Sequence, residues 1–371
     1  MYSGWFASVR VTHHASPDKR TSGKTSSPTV KFEFEAIAEM TPGEKWQRHF
    51  ERLWPGYRKW FLSEGDAARP SYLESRTAFE SHMPELVPTY EALTELAGGG
   101  DLAARGLGLY CPPPYLTGCS QAVWMDDQSQ ILVRNYDYHP ALTEGTVLYT
   151  CWNKRRVIAL CDCLWGVLDG INDAGLVVSL TFGGRRVVGK GFGIPVVLRY
   201  VLEFCKTTDE AIDVLRRVPP HMAYNVTVLD AAGHFRTAYL CPDRPPVTRQ
   251  FPVATNHQGT VEWLEHARAT STLERERFLF SRFADVEQTE QSFIEAFLKP
   301  PLFSRAYRKG YGTLYTAVYR PSKGSVELRW PDGSWTQSFD NFEEGKRITR
   351  FVDQDELETS LINRMPETKR A

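Results

Sequence analysis

The sequence predicts an α+β protein: a helical N-terminal segment, then two antiparallel sheets covered by layers of helix. Three observations predict it. Apolar residues between about 42 and 109 recur at spacings of three and four, the stripe of half-buried helices. From residue 119 the pattern changes to short apolar runs divided by Asp, Asn and Gly turns. Helical patterns then interrupt those runs twice, giving strands, two helices, strands, helices, strands. There is no internal repeat.

Taken in order, residues 1–29 carry Ser, Thr, Lys, Arg and His with little apolar periodicity, and read as a disordered tail. The first helix is expected where Trp46, Phe50, Leu53, Trp54, Tyr57, Trp60 and Phe61 share one face, with Thr41 as its cap and Pro42 as its first residue. Shorter helices are expected over 70–81 and 84–97, closed by Gly98-Gly99-Gly100. Cys111-Pro112-Pro113-Pro114-Tyr115 is then a stiff extended connector. Strands are expected at 119–125, 130–136, 146–152, 155–161, 166–170 and 175–182. Helices follow at 193–205 and 208–217, strands at 223–230, 234–240 and 250–255, and helices at 270–284 and 290–298. Strands at 312–319, 324–330 and 335–339 close the pattern, leaving 346–371 as a C-terminal tail.

Composition narrows the class. With 371 residues, 42% hydrophobic, 24% charged and a formal net charge of -1, the chain is ordinary globular material. The near-neutral balance excludes the clustered basic excess that a nucleic-acid partner needs. No apolar run reaches the ~18 residues of a membrane span, and no basic start leads into an apolar core as in a secretory signal. Seven cysteines, an odd number in a long chain, read as reduced thiols in a cytoplasm. Cys161-Asp162-Cys163 lacks a second Cys/His pair at zinc-site spacing, so neither a metal nor another cofactor is expected.

The chemistry concentrates at Gly118-Cys119, where the connector meets the first strand. A thiol is a useful nucleophile when its thiolate is stabilised or a base is at hand. An N-terminal cysteine carries its own base, because a free α-amino group titrates near ~8. If the first two strands form a hairpin about Asp126 to Ser129, Arg134 and Asp137 return beside Cys119. Asp137 then accepts from the ammonium or thiol, and Arg134 holds both Asp137 and a substrate carbonyl. Thr255-Asn256-His257 follows a strand, and the Asn256 amide is a candidate oxyanion donor. Leu180-Thr181-Phe182-Gly183-Gly184 ends another strand in a glycine turn whose N–H groups are expected to be free for a ligand.

Together these segments resemble the N-terminal-nucleophile (Ntn) hydrolases of the choloylglycine hydrolase and acyl-coenzyme A:6-aminopenicillanic acid acyltransferase group, the C45-type peptidase family. The resemblance rests on Cys119, Arg134-Asn135-Tyr136-Asp137, Gly170-Ile171-Asn172-Asp173-Ala174-Gly175-Leu176, Thr255-Asn256 and the late run Gly312 to Tyr319. It implies a four-layer αββα sandwich at 119–345, with residues 30–118 as a helical pro-segment or lid. It also implies autoproteolysis at Gly118-Cys119, Cys119 as nucleophile, Arg134 and Asp137 positioning it, and Asn256 in the oxyanion hole. Thr181 stands where the bile-salt branch places Asn, so Thr181 and Phe182 become candidate oxyanion or substrate contacts. A family arginine falls on Arg275 or Arg277.

The reaction so implied is cleavage or transfer at a linear amide C–N bond through an S-acyl enzyme. The partner is then a small acyl-amide, with an acyl-coenzyme A as candidate donor and room for a homo-oligomer. Two other readings use the same residues. One is an uncleaved protein of this fold that binds ligand with little catalysis. The other is a papain-like thiol hydrolase pairing Cys119 with His139, His221 or His257, which requires Cys119 at a helix N-terminus.

Overall fold

In the computed structural model, which describes residues 30–309 and 311–352, the segment expected to be helical opens with a strand. This strand, β1 (Val30–Glu39), precedes four helices, α1 (Glu44–Phe61), α2 (Tyr72–His82), α3 (Val87–Leu96) and α4 (Asp101–Gly108). Six strands follow: β2 (Gly118–Met125), β3 (Gln130–Tyr138), β4 (Thr146–Thr150), β5 (Val157–Asp162), β6 (Gly166–Asn172) and β7 (Val177–Phe182). After α5 (Ile194–Phe204) and α6 (Thr208–Arg217) come β8 (Tyr224–Leu229), β9 (Phe235–Leu240), β10 (Val247–Arg249) and β11 (Val253–Ala254). Helices α7 (Leu264–Ala269), α8 (Thr272–Phe283) and α9 (Glu290–Ala296) lead to β12 (Arg305–Ala306), β13 (Tyr311–Arg320), β14 (Ser325–Trp330), β15 (Gly333–Ser338) and β16 (Gly345–Phe351). The tail expected at 1–29 and the part of the C-terminal tail beyond 352 lie outside the described residues.

The strands form two sheets. One has nine strands in the order β10-β9-β8-β7-β6-β5-β4-β1-β16, and the other has seven, β11-β2-β3-β13-β14-β15 with β12 on β13. Pairing is antiparallel except between β1 and β4, which run parallel. Alternation along β2 shows how the sheets stack. Gln121 points into the sandwich, where its amide donates to Thr227 Oγ1 at 2.7 Å and accepts from Ser179 Oγ at 2.6 Å, both on the facing sheet. Its neighbours Ala122 and Trp124 point the other way, packing with Ile131, Val133, Leu279 and Phe293 beneath α8 and α9. On the far side of the larger sheet α5 lies so close that a Cβ at Gly170 would stand 2.8 Å from Leu202 Cδ1. The layers are helix, sheet, sheet, helix.

The structure differs from the sequence expectation at four places. Residues 346–351 are not a tail: they belong to β16, which pairs with β1 from Val30↔Phe351 to Ala36↔Gly345. The N-terminal segment is therefore not helical throughout, because β1 lies inside the larger sheet between β4 and β16. The period-two alternation of Lys31-Phe32-Glu33-Phe34-Glu35 carries that strand, with Phe34 and Ala36 buried. Helix α1 starts at Glu44 with Gly43 as its cap, not at Thr41-Pro42. The physical reason is Glu39, whose carboxylate accepts the Lys45 and Trp46 N–H groups at 2.8 Å and closes the helix end from the strand. The strand expected at 250–255 is reduced to β11, and the strand just before it, β10, belongs to the other sheet.

A buried polar knot fastens α1 to the larger sheet. Tyr57 lies within hydrogen-bond distance of Glu144 Oε1 (2.5 Å) and of Asp162 Oδ1, while its oxygen accepts the Cys163 N–H at 2.9 Å. His49 Nε2 meets the other Glu144 oxygen at 3.0 Å. One phenolic proton cannot serve two carboxylates, so one of the acids keeps its own. Burial, and then the charge of Glu144, push Asp162 up to about 7. On Glu144 burial acts in the same upward sense, but hydrogen bonds from His49 and Tyr57 outweigh it and hold the group below the usual carboxylate range.

Folded protein therefore keeps the Asp162 proton to about pH 7, whereas an unfolded chain loses it near ~3.9. Stability falls as pH rises through that window and levels off above it. Asp162→Asn removes this dependence, so the variant gains on the wild type in urea unfolding between about pH 4 and about pH 7. A gap that stays constant across that range would show that Asp162 does not carry the titration.

Candidate active site

The β2–β3 hairpin assembles the centre. Its turn is held by Asp126, whose carboxylate accepts the Gln128 and Ser129 N–H groups at 2.8 and 2.7 Å. The register that follows sets Gly118 opposite Asp137, Cys119 opposite Tyr136 and Gln121 opposite Arg134. Arg134 and Asp137 are thus both returned beside the Gly118-Cys119 bond. They reach it from opposite faces of the sheet, because successive strand residues alternate.

Cys119 is fully buried, and its Sγ lies 3.5 Å from Arg134 Nη2 and 3.7 Å from Thr117 Oγ1. Arg134 does not hold Asp137, as the sequence reading expected. Its other terminal nitrogen donates to Asp169 on β6, across the space between the sheets. Asp169 is in turn fixed by the Tyr315 and Tyr319 hydroxyls at 2.8 and 2.7 Å. Burial works against the Arg134 charge, but the Asp169 carboxylate prevails and keeps the guanidinium protonated.

Asp137 sits on the helix side of the sheet. It accepts from Thr313 Oγ1 at 2.7 Å and faces Arg275 Nη1 at 3.5 Å. Burial raises its pKa, against the opposing pull of Arg275 and Thr313. Arg275 is the arginine that reaches the centre, whereas Arg277 is exposed. Its guanidinium donates to the Cys119 carbonyl at 2.5 Å, to Ser120 Oγ at 2.7 Å and to Asn256 Oδ1 at 2.6 Å. Gly118 has ordinary extended backbone, and a Cβ there would crowd Asp137 Cβ at 3.1 Å.

Asn256 joins the two sides. Its Oδ1 accepts the Cys119 N–H at 3.0 Å, and its Nδ2 donates to the carbonyls of Phe182 at 3.1 Å and Thr117 at 3.4 Å. In the intact chain the amide donors are therefore engaged by backbone. Thr181 is engaged as well, with Oγ1 donating to the Thr255 carbonyl at 2.8 Å and accepting from Asn225 at 3.0 Å. Phe182 contributes its carbonyl, while its ring packs edge-on against His266 at 5.0 Å. The glycine turn does not present a free Gly183 N–H, because that group donates to the Ala223 carbonyl at 2.8 Å.

Sequence reasoning missed Asp169 and the tyrosines that hold it. A signal was present: Asp169 is the acid inside the otherwise apolar run Gly166 to Ile171, and a buried strand carries an acid only where a partner waits. The motif after it is structural. Asn172 Oδ1 caps the β6–β7 turn by accepting from Ala174 and Leu176 at 3.1 and 3.0 Å, and Gly175 supplies φ +77°. Of the histidines weighed for a papain-like pair, His221 is bonded to Gly189 and His257 to Thr272 and Glu276, while His139 caps Ala141. Cys119 opens a strand, not a helix.

Among solved structures, the chain is similar to a mutant conjugated bile acid hydrolase from Clostridium perfringens, at 13% identity and TM-score 0.41 over 63% of this chain and 96% of that one. It is also similar to penicillin V acylase from Agrobacterium tumefaciens, at 14% and 0.42 over 62% and 90%. A third is the Caenorhabditis elegans ortholog of N-acylethanolamine-hydrolyzing acid amidase, at 18% and 0.41 over 62% and 100%. Comparison with curated proteins returns no match. The model of the acyl-coenzyme A:6-aminopenicillanic acid acyl-transferase family matches residues 124–335, more than half of the chain. That span contains Arg134, Asp137, Asp169, Asn256 and Arg275, and the chain belongs to the acyl-coenzyme A:6-aminopenicillanic acid acyl-transferase family.

Proposed function

We propose that the protein is a cysteine N-terminal-nucleophile amidohydrolase or acyltransferase, activated by cleavage of its own Gly118-Cys119 bond. The observation that carries this reading is the seat of Cys119. Its backbone nitrogen rests on Asn256 Oδ1 at 3.0 Å while its thiol lies 3.5 Å from the Arg134 guanidinium. An α-amine released there stays within reach of the thiol, and a thiolate formed there meets a fixed positive charge.

For activation, the Cys119 thiolate adds to the Gly118 carbonyl carbon. The adduct collapses with loss of the C–N bond, and the Cys119 nitrogen takes up a proton. Water then opens the thioester, leaving a Gly118 carboxylate, a free thiol and a free α-amine. Departure of the 117–118 peptide releases Asn256 Nδ2 from the Thr117 carbonyl that it contacts at 3.4 Å. The donor is then available to an oxyanion. The N-terminal fragment stays in place, because β1 is an interior strand of the larger sheet.

For turnover, the α-amine accepts the thiol proton and Sγ attacks the acyl carbon of an amide. Asn256 Nδ2 stabilises the oxyanion, and the α-ammonium returns its proton to the leaving amine. The S-acyl enzyme then passes its acyl group to water or to an acceptor amine. Asp137 and Arg275 brace the hairpin from behind, and Arg134 faces the sulfur. An acyl-coenzyme A thioester can load the same cysteine. Seven unpaired cysteines support a reducing, cytoplasmic setting.

Intact-mass analysis of wild type and Cys119→Ala tests the activation step. Wild type is expected as two fragments parting after Gly118, and the variant as one full-length chain that hydrolyses no acyl-amide. Processing of the variant at Gly118 would refute self-cleavage by this thiol. The Arg134 seat gives a second expectation. Asp169→Asn strips the counter-charge from a buried guanidinium, and urea unfolding should show a loss of about 3–5 kcal/mol. Unchanged stability would mean that Asp169 is not the group neutralising Arg134.

A further inference from the structure

Asn256, the oxyanion donor proposed for turnover, stands on a loop. Strand β11 ends at Ala254, and the next element, α7, begins at Leu264. Stabilisation of an oxyanion depends on where its donor rests, and a shift of about 1 Å is enough to matter. A donor on a loop therefore needs to be fixed from outside.

The carbonyls on either side of Asn256 meet one side chain. Asn225 Nδ2 donates to the Thr255 carbonyl at 2.8 Å and to the His257 carbonyl at 3.0 Å, with a third contact to Thr181 Oγ1 at 3.0 Å. Asn225 is fully buried on β8 of the larger sheet. Its face of β8 looks toward the smaller sheet, because Thr227, two residues on, receives Gln121 of β2. A carbonyl oxygen can only accept, so the nitrogen and oxygen of this amide are not interchangeable. Its Oδ1 is left buried with no partner among the described residues, a cost that an apolar side chain of the same size would avoid. Other groups hold the near side of the loop. Thr181 Oγ1 adds a second donor to the Thr255 carbonyl, and Thr272 Oγ1 accepts the Asn256 N–H at 2.7 Å. The bond that reaches past Asn256 to the His257 carbonyl comes from Asn225.

We propose that Asn225 is a positioning residue for acyl transfer, pinning the backbone on both sides of Asn256 so that the Asn256 amide stays aimed at the oxyanion formed on the acyl carbon. Asn225 acts through Asn256 and not on the acyl group itself. Without it the loop keeps Thr181 and Thr272 but loses its hold beyond Asn256, and the donor is anchored on one side. The larger sheet thus sets the position of a donor that belongs to the smaller one. This inference rests on the proposed cysteine Ntn activity.

The test is a double-mutant cycle on the processed full chain. Asn225→Leu keeps the volume and removes the donor, and Asn256→Ala removes the group it positions. Self-cleavage needs one event per chain, so slowed variants still mature on long incubation, as intact mass reads. A panel of straight-chain acyl para-nitroanilides gives kcat and KM, and mass spectrometry reads acylation of Cys119. Asn225→Leu is expected to lower kcat about 100-fold with KM within about twofold. Asn256→Ala should lower kcat by about 10²–10³, and the double variant no further, because a donor that is gone cannot be misaimed. Affinity for the matching acyl aldehyde, whose carbon bonds to the Cys119 sulfur and whose oxygen takes the negative charge, should fall in Asn225→Leu by the same factor as kcat. Lost stability alone would lower the urea midpoint and leave these readouts in place. If Asn225→Leu fails to fold or mature, Asn225→Ser, which keeps one donor, enters the same cycle under the same criteria, and the aldehyde affinity decides the matter without Asn256→Ala. An unchanged kcat and aldehyde affinity, or losses that multiply in the double variant, would overturn the positioning role and leave the proposed reaction standing. Absence of Cys119 acylation in wild type across the panel would overturn both.

Discussion

The Arg134–Asp169 pair joins the two sheets at the level of Cys119, and the centre depends on it. Arg134 comes from β3 of the smaller sheet and Asp169 from β6 of the larger, and both side chains are fully buried. Neither charge is tolerable there alone, since an ion stripped of water must be repaid by a partner and by hydrogen bonds. Tyr315 and Tyr319 complete the repayment on Asp169, and Cys119 Sγ lies 3.5 Å from the second terminal nitrogen of the guanidinium. The fold thus sets a permanent cation beside a thiol in a dry interior.

The opposite face of the same hairpin is organised by a second arginine. Arg275 gathers the Cys119 carbonyl, Ser120, Asn256 and Asp137 in one guanidinium. Five fixed donors suit that task better than a flexible ammonium would. Asn256 then spans from this cluster to the end of β7 through the Phe182 carbonyl. The start of β2 is therefore clamped on both faces, with one arginine on each. Rigid placement of this kind is what positioned acyl-transfer chemistry needs.

The N-terminal segment is part of the same construction. β1 runs through the larger sheet, and α1 is tied to it by the Tyr57, Glu144 and Asp162 knot. Trp46 adds a bond from its indole to the Leu164 carbonyl at 3.0 Å. Residues on both sides of Gly118 thus share one core, including Phe34, Trp46, Phe79 and Tyr90 with Cys119, Tyr136 and Leu180. A cut at that bond divides the chain without dividing the core.

What the sequence determined by itself was local. Turn residues at Asp126 to Ser129 and the alternation on either side set the hairpin register, so the return of Arg134 and Asp137 to Cys119 was legible. The helices at 194–204 and 208–217 were likewise written in their own periodicity. The alternation of 30–39 was equally local but short and charged on one face, and the helical pattern after it overshadowed it. The six-residue α7 is too brief to show a period. Tertiary structure alone decided partners. Asp169 lies 35 positions from Arg134 on another sheet, Arg275 lies 138 from Asp137, and β16 reaches back more than three hundred residues to β1. A spacing along the chain tells which residues share a turn or a face. It does not tell which charges meet across a core, because that depends on how the sheets stack. So the motif brought Cys119 together with its two charged neighbours, and only the stacked sheets showed that each neighbour answers to a different partner.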